Sequence, residues 1–217
     1  MENVSLTIDG KNVQAEKGMT IIQAAQQAGI SIPNLCHDDR LEPYGACRFC
    51  MVEIEKNGRK KLVASCCYPV ENGLAVNTKT EKVENIRKVL IELLLAVSPS
   101  GSHIELAKEY GIKESRFKLE SSPEAPCDLC GLCVRYCTEI KKKNAVCFVG
   151  RGVDRTVALV PGASDGCSSC RECFDVCDAG KMVYLVEMLQ EISCPPLKSK
   201  KNSTHYGLPH PLRRLSL

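Results

Sequence analysis

The chain has no tryptophan and only four phenylalanines among its 217 residues. It therefore lacks the aromatic platform on which nucleic-acid bases stack, and its net charge of +3 forms no long basic stripe. Long apolar runs are also missing. The longest, residues 89–97, is interrupted by Glu92 and is far too short for a transmembrane segment. The start, MENVSLTIDGKN, has no basic residues leading into an apolar stretch, so no secretory signal is visible. No GxGxxG pattern follows a strand, which argues against a dinucleotide site in this chain. No Ser-His-Asp or Cys-His arrangement suggests covalent catalysis.

Cysteine, by contrast, is abundant, with fifteen residues. An oxidised secreted scaffold is disfavoured by the absent signal, the odd count and the tight clustering, so a reduced, soluble, cytoplasmic metalloprotein is expected. Residues 127–137 read CDLCGLCVRYC and residues 167–177 read CSSCRECFDVC, with gaps of two, two and three in both. One loop of this spacing offers three thiolates to a compact four-iron cage. The fourth cysteine points away, and in two-cluster ferredoxins it ligates the other cluster. The repeat predicts crossed ligation of two [4Fe–4S] clusters. Cys127, Cys130, Cys133 and Cys177 hold the first; Cys137, Cys167, Cys170 and Cys173 hold the second. Bacterial ferredoxin runs end in Cys-Pro, whereas Thr138 and Asp178 follow here. Proline shapes the chain exit and is no ligand, so its loss removes no thiolate. Zinc is the competing metal, but one tetrahedral ion usually draws on two separated CxxC knuckles.

The order of sequence patterns predicts an α+β chain. Val4, Leu6 and Ile8 alternate before Asp9-Gly10, and a second hairpin turns at Asn57-Gly58. Between them a helix starts at Thr20 and closes at Gly29, and LAVNT supplies a late strand. These parts suggest a β-grasp domain over residues 1–78. Thr78 and Glu81 make a capping-box pattern for a long amphipathic helix whose wide apolar face is expected in the core. Ser102 and Glu105 open a shorter helix ending at Gly111, which completes a helical connector over 79–120. Residues 121–194 form the two-cluster domain, entered through SSPEAP (121–126) and carrying an inserted hairpin between the cysteine runs. Residues 195–217 are expected to be an extended or disordered basic tail.

Four further cysteines, Cys36, Cys47, Cys50 and Cys66, fall in the β-grasp part. Plant-type [2Fe–2S] ferredoxins use C-x4-C-x2-C and a distant fourth ligand. The first gap is longer here, but a loop can still wrap one edge of the cluster while a strand end brings the last thiolate. Gly45 permits close backbone approach.

GACRFCMVEI followed by ASC, together with CDLCGLCVRYC and FVGRG, resembles the N-terminal region of the large iron–sulfur subunit of respiratory NADH:quinone oxidoreductase. It is similar also to the diaphorase iron–sulfur subunits of NAD-linked hydrogenases. The resemblance spans roughly residues 1–180. It implies one [2Fe–2S] cluster, two [4Fe–4S] clusters, and flavin and NAD(P) on a flavoprotein partner chain, with a further redox subunit as acceptor. Many relatives carry one histidine and three cysteines after the long helix for an additional [4Fe–4S] cluster. Residues 96–126 contain no cysteine, so that cluster is expected to be absent and His103 to be a surface or capping residue. Cys67 leaves the fourth [2Fe–2S] ligand ambiguous, and the ASC register favours Cys66. Cys67, Cys147 and Cys194 are expected to be small buried hydrophobes. Arg48, Arg135, Lys141, Lys142, Lys143, Arg151 and Arg155 read first as solvated charge and second as tuning or docking groups.

The chain thus reads as the electron-transfer subunit of a flavin-dependent NAD(P)H-linked oxidoreductase complex, of diaphorase or electron-bifurcating type and non-catalytic alone. A free-standing diffusible carrier and a zinc-stabilised scaffold are the competing readings.

Overall fold

A computed structural model describes residues 2–97, 103–117, 127–152, 155–177, 179–183, 185 and 186. The chain opens with β1 (Asn3–Ile8) and β2 (Lys11–Glu16), paired antiparallel with Leu6 opposite Val13. Asp9 and Gly10 both take positive φ, the backbone sense that matches strand twist in a two-residue hairpin. The alternation then places Val4, Leu6 and Ile8 inside. Helix α1 (Ile21–Gln27) begins at Thr20, where a capping box with Gln23 satisfies the first orphan amides. A second hairpin, β3 (Met51–Lys56) with β4 (Arg59–Ala64), turns at Asn57-Gly58.

The late strand β5 (Ala75–Asn77) joins the hairpins, running parallel to β1 and antiparallel to β3. The sheet order is β2-β1-β5-β3-β4, with α1 packed into the same core through Ile21, Ile22, Ala24 and Ala25. This is the β-grasp arrangement. The α1–β3 connection is long and carries three of the N-terminal cysteines to one edge.

The long helix α2 (Glu81–Val97) departs from the sequence reading in two ways. Thr80, not Thr78, caps it: the Thr80 hydroxyl accepts from the Val83 amide at 3.4 Å. Thr78 is taken instead by Asp9, whose carboxylate accepts from its amide at 2.7 Å and its hydroxyl at 2.6 Å. The apolar face is also split. Val83, Arg87 and Ile91 are buried one turn apart, whereas Val89, Leu93 and Val97 are 39%, 39% and 43% exposed. Helix α3 (His103–Glu109) follows, and Ile91 and Ala107 pack against Phe49 in the cysteine loop.

Helix α4 (Leu132–Arg135) runs into a single π-helical turn, Tyr136–Ile140. The inserted hairpin is β6 (Val146–Val149) with β7 (Thr156–Leu159), and α5 (Ser164–Cys170) opens the second cysteine run. The Ser102 cap, the linker at 121–126, Cys194 and the tail at 195–217 lie outside the described residues. Among the described residues no helix is long and apolar enough to cross a membrane.

Candidate metal centres

The N-terminal cysteines come together in two contacts. The Cys36 sulfur accepts from the Cys47 backbone amide at 3.4 Å, and the Cys50 and Cys66 sulfurs stand 3.3 Å apart. Two thiolates on one tetrahedral metal at about 2.3 Å would be roughly 3.7 Å apart, so the Cys50–Cys66 pair suits one metal. Cys36, Cys50 and Cys66 are almost fully buried. Pairing also polarises the protons. The Cys36 thiol is held below the usual thiol range, first by its hydrogen bond with Cys47, against the opposing effect of burial. Cys50 is likewise lowered, first by its hydrogen bond with Cys66. Their partners Cys47 and Cys66 are pushed up by the same contacts and by burial.

The repeated runs line two cavities. One is bounded by Cys127, Cys130, Cys133 and Cys177, with Leu35, Val157 and Val176 in its apolar wall. The other is bounded by Cys137, Cys167, Cys170 and Cys173, with Lys141 and Lys143 also in its lining. Each quartet takes three cysteines from one run and one from the other. Among the described residues, no three Cys, His, Asp or Glu side chains converge on a single ion. The thiols instead line the walls of the two cavities.

Burial dominates the electrostatics of these thiols. It pushes Cys130 and Cys173 up to about 12 and raises Cys127, Cys133 and Cys167 as well. Such thiols keep their protons until a metal displaces them. The local backbone shapes the first cavity. Gly131 has φ of 79°, and a Cβ there would crowd Phe148 and Tyr44 at 3.3 Å each, so the turn beside the first cavity favours glycine. The Ala145 amide donates to the Cys137 sulfur at 3.2 Å, the kind of bond that tunes a cluster's potential.

Three supporting groups were not read from the sequence as such. Arg87, 2% exposed, donates to the carbonyls of Phe49, Thr78 and Met51 at 3.2, 2.9 and 3.0 Å, which pins the backbone on both sides of Cys50. An arginine spaced four residues from Val83 and Ile91 on an otherwise apolar stripe was the available signal. Arg135 is 8% exposed rather than solvated, and it donates to the Cys36 carbonyl at 3.2 Å. His103 is not a surface or capping residue: it is fully buried, with Nδ1 3.3 Å from the carboxylate of Asp128, next to Cys127. Cys67, expected in the core, is exposed, with its sulfur 3.6 Å from that of Cys66. Gly45 makes room for it, since a Cβ there would lie 2.8 Å from the Cys67 sulfur. Cys147 is half-buried on β6. Arg48 is exposed.

Residues 1–81 match the family described as a 2Fe-2S iron-sulfur cluster binding domain. The fold is similar to a chain in the crystal structure of an NAD+-reducing [NiFe]-hydrogenase in the H2-reduced state. The TM-score is 0.63 and the identity 30%, over 74% of this chain and 76% of that one. The chain belongs to this family of iron–sulfur subunits. Within the family it is 36% identical, over 83% of its length, to NADPH-Fe(3+) oxidoreductase subunit alpha of Geobacter sulfurreducens. It is 30% identical, over 84% of its length, to the mitochondrial NADH-ubiquinone oxidoreductase 78 kDa subunit of Candida albicans. The matched region spans 24% of the first relative and 28% of the second, so the chain corresponds to about a quarter of their length.

Proposed function

We propose that this chain is the electron-transfer subunit of a flavin-dependent NAD(P)H-linked oxidoreductase complex, of diaphorase or electron-bifurcating type. In this reading residues 1–78 hold a [2Fe–2S] cluster through Cys36 and Cys47 on one iron and Cys50 and Cys66 on the other. Residues 79–120 form a connector without a cluster. Residues 121–194 hold two [4Fe–4S] clusters, one on Cys127, Cys130, Cys133 and Cys177 and one on Cys137, Cys167, Cys170 and Cys173. When bound, such clusters supply one-electron transfer, while hydride chemistry belongs to a flavin on another chain.

The observation that carries this reading is the pair of cavities, each ringed by four cysteines in the crossed pattern of a two-cluster ferredoxin. The protein's own residues do the rest. Arg87 fixes the backbone on both sides of Cys50, Gly131 makes the turn beside one cavity with Tyr44 and Phe148 close against it, and the Ala145 amide is aimed at the Cys137 sulfur. The exposed stripe of Val89, Leu93 and Val97 supports a subunit over a diffusible carrier, because a helix face of this kind is interface material. The partners are a flavoprotein that oxidises or reduces NAD(P)H and a further redox subunit, in the cytoplasm.

Native purification tests the assignment. A tagged chain expressed in its source cell is expected to elute on gel filtration with a flavin-containing partner, and NAD(P)H added to that complex should bleach the iron–sulfur absorbance. Elution as a flavin-free monomer that accepts electrons from added reductases would move the reading to a diffusible carrier.

A further inference from the structure

Arg135 lies inside the first cysteine run, between Cys133 and Cys137, yet its side chain leaves that run. One terminal nitrogen donates to the Cys36 carbonyl at 3.2 Å and the other donates to the Glu42 carbonyl. Its Nε pairs with Glu139 at 3.1 Å, and the guanidinium faces the Tyr44 ring at 4.8 Å. The same contact is reinforced around it. Leu41 packs with Leu132, Tyr136 and Val176, the Glu42 amide donates to Glu139 at 2.9 Å, and Arg40 lies over the Tyr136 ring at 5.1 Å. One buried cation thus spans from the backbone of Cys36 to the helical segment, α4 and its π turn, that carries Cys133 and Cys137.

We propose that Arg135 is a positioning residue that joins the two cluster regions: its fork fixes the loop at 36–44 against α4, and its charge at the Cys36 carbonyl favours the reduced form of the [2Fe–2S] centre. The inference rests on the ligand sets proposed above. Reduction adds one negative charge to a cluster, and a fixed cation in a poorly solvated site opposes that cost. Glu139 is the carboxylate that faces the guanidinium, and it offsets part of this charge. Lysine could keep the charge but not the planar fork that reaches two carbonyls and a ring together.

The test uses the intact chain, loaded with iron and sulfide under anaerobic conditions, with Arg135→Met and Arg135→Lys. Potentiometric titration followed by EPR reads the [2Fe–2S] signal, and hydrogen exchange reads the amides of 36–44. Arg135→Met is expected to shift the one-electron equilibrium about tenfold towards the oxidised form, roughly 59 mV lower. Arg135→Lys should keep the potential close to wild type. Both variants should exchange the 36–44 amides about tenfold faster, the scale of a lost charge-assisted hydrogen bond. A wild-type potential in Arg135→Met, or an equal drop in both variants, overturns the charge role, and wild-type protection of 36–44 overturns the anchoring. Should Arg135→Met hold no iron, hydrogen exchange on Arg135→Lys decides. Failure of the cluster reading itself would look different: a wild-type chain with no acid-labile sulfide.

Discussion

The two cysteine runs share a spacing and differ in what they face. Aligned on their cysteines, Gly131 falls on Arg171, Leu132 on Glu172 and Arg135 on Asp175. The backbone takes positive φ at one shared position, 79° at Gly131 and 48° at Arg171. The side chains do not match. Leu132 and Arg135 are buried against the N-terminal loop, whereas Arg171, Glu172 and Asp175 are exposed. The cysteine spacing answers to the cavity it lines; the residues between the cysteines record which neighbour each run touches.

The crossing of ligands gives the largest effect by which this comparison can be broken. Cys137→Ser changes the first run but should empty the second centre, with the loss of up to about four of about ten irons. Iron analysis and EPR should then group Cys137→Ser with Cys170→Ser. Grouping with Cys130→Ser would mean that each run serves its own cluster. Exchanging the intervening residues comes next. Leu132→Glu buries a carboxylate where Leu41 and Tyr136 now pack and should cost about 2–4 kcal/mol in chemical unfolding. The reciprocal Glu172→Leu, at an exposed pair with Lys141, should move the midpoint far less.

A property that both runs share sharpens the comparison further. Cys130 in one run and Cys173 in the other are raised by burial from 9.0 to about 12. Above pH 9 the unfolded apo chain sheds thiol protons that the fold retains. Apo stability should therefore fall as pH rises from about 9 towards 12, and below 9 these thiols should contribute no pH dependence. Urea midpoints of the reduced apo chain across that range check the sign; a rising midpoint would contradict it. The smallest effect is expected at Cys67. Cys67→Ser should leave the [2Fe–2S] EPR signal unchanged while Cys66→Ser removes or reshapes it. The opposite pattern would move the fourth ligand to the exposed thiol.

Much of the fold was legible because its signals are local. Alternating Val4, Leu6 and Ile8, the Asp9-Gly10 and Asn57-Gly58 turns and the Thr20 cap each name an element from a few neighbouring residues. The strand order was not legible, since nothing local says that β5 enters between the two hairpins. The same limit explains the helix cap. Thr78 fits a capping box until Asp9, 69 residues away in sequence, takes both its donors. At the candidate centres, the spacing named the cysteine quartets that line the cavities. It was silent about Arg87, Arg135 and His103, whose burial depends on Phe49, Cys36 and Asp128, partners 25–99 residues distant in sequence. A charged side chain reads as surface until the carbonyls or carboxylate that receive it are in place.

The central claim is that the twelve cysteines hold three iron–sulfur clusters. Iron and acid-labile sulfide should be measured on the anaerobically reconstituted chain, with low-temperature EPR during stepwise reduction. The account predicts about ten irons with matching sulfide, one [2Fe–2S] signal and two interacting [4Fe–4S] signals. A colourless protein that binds stoichiometric zinc and no sulfide would contradict it.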